Sequence, residues 1–244
     1  PGTVSWAAVN NMMDRGELRA AAWHLVGHGA EAVLYWQWRS ALGGQEQYHG
    51  TLVGPHGKPR PHYQEVVQIG REFERCAEIL RQTSPRTPVA MLWSWEDRWA
   101  VNYQRYHRDF DADQHMLSYY RALRGLGLDV DVLQPLSDLK DYSLVIAPHL
   151  HMVEEKLRTH LLACVERGGH LVLGARSGVK DDSNALLPSH QPGPELAAAL
   201  GGHVEDAYAL EEDVPVQGDL GSGQARLFAE WLVADAPDAQ VLLR

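Results

Sequence analysis

The sequence predicts an α/β protein in which the second part of the chain forms a parallel sheet covered by helices on both faces. Short apolar runs rich in β-forming residues predict strands at residues 89–93, 129–133, 142–148 and 170–175. Amphipathic segments that end in glycines predict the helices between them, at residues 113–126 and 153–167. Strands that alternate with helices of this length pair in parallel within one sheet.

The first part of the chain offers only one strand. Residues 14–28 and 62–83 have apolar side chains at helical spacing and predict two helices. Residues 31–38 predict a buried strand, and residues 40–60, which contain several Gly and Pro residues, predict a loop. Because a lone strand leaves its backbone groups unpaired, we interpret this part as the tail of a larger βα fold.

Prolines separate the two parts. Pro85 and Pro88 interrupt the pattern, after which the alternation of strands and helices begins again. We therefore predict one domain over residues 1–85 and a second, self-contained domain over residues 86–244.

Composition argues against two kinds of partner. The 244 residues carry a formal net charge of −10 and no block of Lys or Arg, so a nucleic-acid partner is not expected. No run of about 18 apolar residues is present, so no membrane partner is expected. Cys76 and Cys164 both fall in predicted helices, which fits a reducing, cytoplasmic location rather than a disulfide framework.

The strongest candidate for a binding site follows the predicted strand. The run Tyr35-Trp36-Gln37-Trp38-Arg39 precedes Gln45-Glu46-Gln47-Tyr48-His49. A carboxylate and an imidazole three residues apart, next to indoles, suit a polar ring with apolar faces, which is the shape of a sugar. The alternative is a solvated loop that holds an ordinary Glu–His pair. The residues alone leave both interpretations open.

Two histidine pairs have spacing that metal sites use. His24 and His28 share a helix face, and His149 and His151 follow a predicted strand. The sequence offers no evident third ligand for either pair, so we predict no metal and no cofactor.

Several motifs, in the same order along the chain, resemble glycoside hydrolase family 42, the microbial β-galactosidases. They are Pro1-Gly2-Thr3-Val4-Ser5-Trp6, with Ser5 where the family usually has Asn, then residues 35–39, 45–50, 138–148 and 176–181. The resemblance covers essentially the whole chain. It implies the last strand-helix unit of an incomplete (β/α)8 barrel, followed by a flavodoxin-like domain that mediates assembly of a homotrimer.

The resemblance also implies an activity and a set of site residues. Family members hydrolyse β-galactosides with retention, using two Glu carboxyl groups about 5 Å apart. The family's nucleophile lies just upstream of the segment matched by Pro1-Gly2, and its acid lies much earlier. We therefore expect no catalytic residue in this chain and no activity of the chain alone. Trp6, Trp36, Glu46 and His49 match positions at the galactose subsite.

Three alternatives come from the fold of the second domain. It resembles class I glutamine amidotransferases, but their chemistry needs a Cys in the turn after a central strand, where this chain has Arg176-Ser177-Gly178. Flavin or nucleotide binding has only the fold class in its favour. The remaining alternative is a non-catalytic flavodoxin-like assembly module, in which residues 1–85 have no sugar function.

Overall fold

The computed structural model describes residues 6–243, and Pro1 to Ser5 of the first family motif lie outside the described residues. The chain divides into two compact units, Pro1–Arg86 and Thr87–Arg244. Each unit has its own buried apolar cluster, and each is described separately below.

The first unit is built on two helices, α1 (Glu17–Gly27) and α2 (Tyr63–Gln82), as predicted. Leu18 and Ala22 of α1 are buried against Ile69 of α2. Polar contacts join the same helices, because the Glu72 carboxylate accepts hydrogen bonds from Arg19 Nε at 2.7 Å and from Trp23 Nε1 at 2.9 Å. The Arg19 bond is the main reason that the pKa of Glu72 falls to about 2.

The prediction of a buried strand at residues 31–38 is wrong for the described part of the chain. Within the described residues this segment belongs to no sheet, since a ladder requires a hydrogen-bonded neighbour along its length and only its end finds one. The neighbour is the segment of residues 51–53: Val53 N donates to Trp38 O at 2.8 Å, and Arg39 forms an isolated parallel bridge with Val53.

The second unit contains the predicted parallel sheet. Its strands are β1 (Val89–Leu92), β2 (Val130–Leu133), β3 (Leu144–Ala147) and β4 (His170–Leu173), in the order β2-β1-β3-β4. All three pairings are parallel. The predicted α/β class is therefore confirmed.

Both faces of the sheet are covered, because successive side chains of β1 point in opposite directions. Val89 and Met91 pack in one apolar cluster with Leu123 of helix α4 (Ala112–Gly125). Ala90 and Leu92 pack in another cluster with residues of α5 (Glu155–Glu166). The helices predicted at residues 113–126 and 153–167 thus lie on opposite faces.

The sequence did not predict several further elements of this unit. They are two short helices, α3 (Trp95–Tyr103) and α6 (Pro194–Leu200), and two antiparallel pairs, β5 (Gly202–Ala209) with β8 (Phe228–Ala234) and β6 (Val214–Gly218) with β7 (Gly221–Ala225). The antiparallel pairs form two separate two-stranded sheets in this unit.

The end of β4 approaches the end of β3 too closely for any side chain larger than glycine. Gly174 N donates to Ala147 O at 2.8 Å, and a Cβ on Gly174 would lie 2.0 Å from Pro148 O. We expect Gly174→Ala to lower the free energy of unfolding by about 2 kcal/mol, the usual cost of overpacking. Urea unfolding measures this loss.

Gly125 provides the matched control, because it lies in α4 and a Cβ there meets nothing within 4 Å. Gly125→Ala is expected to be neutral or stabilising by up to about 1 kcal/mol. Equal stabilities of the two variants would contradict the close approach of β3 and β4.

Candidate functional site

The loop of the first unit is positioned by the pairing of residues 37–40 with residues 51–53. Leu52 N donates to Gln37 O at 3.2 Å, and Ser40 N donates to Val53 O at 3.1 Å. The side chains of Ser40 and Thr51 reinforce the pairing with a buried 2.9 Å hydrogen bond. Because both ends are fixed side by side, the intervening residues 41–50 must return on themselves, which brings Glu46 back beside Gln37.

Glu46 is held at the centre of this loop. Gln37 Nε2 donates to Glu46 Oε2 at 2.6 Å, and Glu46 Oε1 lies 3.7 Å from His49 Nε2. The backbone adds a turn, in which His49 N donates to Glu46 O at 3.2 Å. The His49 side chain is 5 % exposed and that of Glu46 is 37 % exposed, so the carboxylate remains open to a ligand.

An indole completes the cluster. The rings of Trp6 and His49 meet edge to face, with centroids 4.4 Å apart and planes at 74°. Trp6 remains 67 % exposed, so much of its surface is available. We name Trp6, Glu46 and His49 the loop cluster.

Direct contacts join three of the four residues that the sequence predicts for the site. Trp36, the fourth, is 70 % exposed and precedes Gln37, the partner of Glu46. Its neighbours in sequence contact protein groups instead: Arg39 Nη2 donates to Pro55 O at 2.9 Å, and Trp38 meets Tyr63 edge to face. The predicted ligand-binding role of all four residues remains a prediction.

Sequence reasoning missed Gln37, which orients the Glu46 carboxylate. The available signal was its position, since it is the polar residue between Trp36 and Trp38 at the end of an apolar run. Arg60 was also missed; its Nη2 donates to Ser40 Oγ at 3.0 Å and supports the pairing beneath the loop. No local pattern indicates that contact, because 20 residues separate the two.

The loop cluster has the groups needed to bind a ligand. A half-open carboxylate accepts hydrogen bonds from hydroxyl groups, and such charge-assisted bonds are stronger than neutral ones. An exposed indole offers an apolar face and one N–H donor. Together they suit a sugar ring, with hydroxyls at its rim and C–H groups on its faces.

The second unit carries buried polar groups at the carboxyl ends of β3 and β4. His149 and His151 are buried, and burial is the main reason that the pKa of each falls to about 4. Arg176 occupies the turn after β4 with φ 63°, and β4 is an edge strand of the described four-stranded sheet rather than a central strand. Cys164 is buried in α5 within the apolar core. These residues do not form an amidotransferase site.

A cleft of about 380 Å³ lies at the carboxyl ends of β1 and β2. Four of its lining residues are acidic: Glu96, Asp97, Glu154 and Asp182. Flavin and nucleotide sites of parallel α/β folds lie at this edge of the sheet and must accept phosphate. The acidic lining is unfavourable for phosphate, which weighs against a flavin or nucleotide ligand.

The fold and the loop cluster define an α/β protein with a cluster suited to a sugar ring. Its sequence matches the family 42 β-galactosidase domain over residues 1–76 and the β-galactosidase trimerisation domain over residues 87–244. The chain therefore belongs to glycoside hydrolase family 42. Across its described helices, none is long and apolar enough to cross a membrane.

Individual relatives agree with this family. The chain is 36% identical to β-galactosidase Bga of Halorubrum lacusprofundi, over 98% of this chain and 36% of that protein. It is 36% identical to β-galactosidase BgaH of Haloferax lucentense, over 96% of this chain and 35% of that protein. The chain thus spans about a third of the length of these curated relatives.

Solved structures of β-galactosidases are also similar to this chain. The β-galactosidase of the psychrophilic Marinomonas ef1 superposes with a TM-score of 0.90 at 28% identity, covering 100% of this chain and 38% of that one. The β-galactosidase of Halorubrum lacusprofundi gives a TM-score of 0.83 at 36% identity, covering 97% of this chain and 35% of that one.

Proposed function

We propose that the chain is part of a retaining β-galactosidase that hydrolyses terminal β-D-galactosyl residues. Membership of family 42 supports the activity, and the loop cluster is the single observation that carries the role of this segment. The Glu46 carboxylate would accept hydrogen bonds from galactose hydroxyls, and the His49 imidazole would donate to or accept from them. Trp6 and Trp36 would offer indole surface to the C–H faces of the ring.

In this proposal the chain helps to bind the sugar but does not carry the groups that cleave the glycosidic bond. We assign neither catalytic Glu of the retaining mechanism to this chain, which spans about a third of the length of its curated relatives. Glu46 is paired with Gln37 and His49 and is given a binding role. We assign the cleavage chemistry to the rest of the parent enzyme. This chain supplies part of the galactose subsite and the assembly domain.

We further propose that residues 31–38 form the last strand of a (β/α)8 barrel in the parent. The alternation of exposure supports this. Val33 and Tyr35 pack on the cluster between α1 and α2, whereas Leu34, Trp36 and Trp38 are 88%, 70% and 61% exposed. A barrel strand alternates in this way, with one face on the helices and the other in the barrel interior. Its pairing partners would lie outside residues 1–244.

The second unit is proposed as a flavodoxin-like domain that assembles three copies. The strand order β2-β1-β3-β4 agrees with that of the flavodoxin-like fold. Helix α3 supports an assembly role, because Trp95, Trp99 and Tyr103 are exposed at successive turns. The chain is proposed to be cytoplasmic, in line with its two unpaired cysteines, Cys76 and Cys164.

An aryl β-galactoside assay tests the proposal that this chain lacks the catalytic carboxyl groups. We expect the purified chain to show no turnover above background, while the full-length parent is active. Turnover by the chain near the rate of the parent would contradict the assignment of both carboxyl groups to other residues.

The second candidate is a non-catalytic assembly module without sugar binding. Calorimetry with galactose separates it from the proposed function. The full-length parent should bind galactose, and Glu46→Ala should weaken that binding. Unchanged affinity in Glu46→Ala would favour the module.

A further inference from the structure

A second cluster of side chains with metal-ligand chemistry lies in the second unit, where β5 meets the loop before α6. His190, His203 and Glu205 each offer one ligand atom, and these atoms all lie within 4.8 Å of one another. His203 and Glu205 belong to β5, and His190 lies in the loop before α6. The family matches assign no role to this cluster, and none of its residues belongs to the loop cluster.

The backbone explains why these three side chains meet. His203 and Glu205 are two residues apart on a strand, and the register of β5 with β8 shifts between Val204 and Asp206, which is a β-bulge that re-aims side chains. The loop that carries His190 is fastened to the same strand, because Val204 N donates to Gln191 O at 2.9 Å. The meeting of the three residues is thus built into the strand and its bridge.

A fourth residue orients the central imidazole. Asp235 Oδ2 lies 2.6 Å from His203 Nδ1, which favours the tautomer with the proton on Nδ1. The other nitrogen, Nε2, then faces Glu205 Oε2 at 3.2 Å. A carboxylate that holds one nitrogen of a histidine while the other faces a shared centre is the usual outer shell of a protein metal site.

An ordinary ion-pair cluster accounts for only part of this arrangement. A charged His203 between Asp235 and Glu205 would explain those two carboxylates. It does not explain His190, whose ring centroid lies 4.6 Å from that of His203 and whose Nδ1 lies 3.8 Å from the same Glu205 oxygen. His190 adds a second imidazole that faces the same carboxylate, so the cluster offers two nitrogens and one carboxylate oxygen to a shared centre.

We propose that His190, His203 and Glu205 bind a divalent transition-metal ion of the zinc type, with Asp235 as the orienting residue. Two imidazole nitrogens favour Zn²⁺, Ni²⁺ or Cu²⁺ over Ca²⁺ and Mg²⁺, which prefer oxygen ligands. Ligand atoms about 2.1 Å from a tetrahedral ion lie about 3.4 Å apart, so the cluster must contract slightly. It can do so because the side chains of His190 and Glu205 are 60% and 55% exposed.

The ion would fasten the loop before α6 to the β5–β8 pair. A metal that binds the folded state and not the unfolded state stabilises the fold by mass action. The proposed site therefore has a structural role in the second unit, and it is independent of galactose binding.

The test is calorimetric titration of the chelator-treated chain with ZnCl₂, and with CaCl₂ as the comparison ion. We expect one Zn²⁺ per chain, with a dissociation constant in the micromolar range or below, and no binding of Ca²⁺. His190→Ala should weaken zinc binding at least tenfold, and Asp235→Asn should weaken it by about 10–100-fold, the usual effect of losing an outer-shell partner. Circular dichroism establishes that each variant is folded.

His28→Ala is the matched control, because His24 and His28 form another close histidine pair, with ring centroids 4.3 Å apart. Its zinc affinity should equal that of the wild type. Zinc should raise the melting temperature of the wild type and of His28→Ala but not that of His190→Ala. Absence of stoichiometric zinc binding, or zinc affinity that is unchanged in His190→Ala, would overturn the proposal.

Discussion

In the full-length parent enzyme, Glu46→Ala is expected to lower kcat/KM for a β-galactoside by about 10²–10³-fold. The Glu46 side chain is partly exposed to solvent and accepts a hydrogen bond from Gln37, so its carboxylate is oriented before a ligand binds. A hydrogen bond to a charged group contributes about 1.5–3 kcal/mol. Loss of two such bonds to sugar hydroxyls, each near the lower end of that range, removes about 3–4 kcal/mol, which is about 10²–10³-fold at 1.4 kcal/mol per factor of ten in rate.

Two further variants separate charge from position. Glu46→Gln keeps an oxygen that can accept a hydrogen bond but loses the charge, so its kcat/KM should fall by about tenfold, between those of the other two enzymes. Glu31→Ala removes an exposed carboxylate from the same unit and should leave kcat/KM unchanged. A Glu46→Ala enzyme with wild-type kcat/KM would remove Glu46 from the substrate site.

The regular part of the fold was predictable because local pattern and tertiary structure agree there. The four strands of the parallel sheet and helices α1, α2, α4 and α5 were all predicted to within a few residues. Their apolar residues repeat at strand or helix spacing, and the faces so defined are the ones that become buried. The assignment of a parallel sheet then followed from the alternation of elements.

The elements that were missed lack such periodicity. Helix α3 exposes three large aromatic residues and buries Asp97, so its apolar pattern does not describe its buried face. A start signal was nevertheless present, because Ser94 Oγ caps the helix by accepting from Asp97 N at 3.1 Å. The strands β6 and β7 are exposed along most of their length, so no buried face distinguished them from loops.

The strand prediction for residues 31–38 failed even though its local pattern was present. Its β-forming composition is real, but a strand is defined by pairing, and pairing depends on neighbours that local sequence does not specify. The same limit applies to the candidate site. The spacing of Glu46 and His49 indicated a pair, whereas Gln37 and Trp6 joined them through contacts across many residues.

The second large effect is expected at Asp97, a carboxylate buried in the second unit, and it concerns the pH dependence of stability. It is 2% exposed, and Oδ1 accepts a hydrogen bond from Met152 N at 2.6 Å. Burial raises its pKa from 3.8 to about 6. The folded state therefore binds the proton more tightly than the unfolded state, so the contribution of Asp97 to stability is greatest below pH 3.8 and falls as the pH rises through 6.

Asp97→Asn should remove this pH dependence. Relative to the wild type, the unfolding free energy of the variant should increase by up to about 3 kcal/mol between pH 4 and pH 7.5, since each pKa unit corresponds to about 1.4 kcal/mol. Any fixed cost of the amide, such as a weakened bond to Met152, is the same at both pH values and cancels from this difference. Urea unfolding at a series of pH values measures it.

Asp219→Asn is the matched control, since Asp219 is exposed and should show no such change. Parallel stability curves for the wild type and Asp97→Asn would mean that Asp97 ionises as freely in the folded chain as in the unfolded one. The hydrogen bond from Met152 would then offset the burial of the charge in full. Divergence of the curves between pH 4 and pH 7.5 would instead show that this carboxylate is retained in the core at a cost to stability.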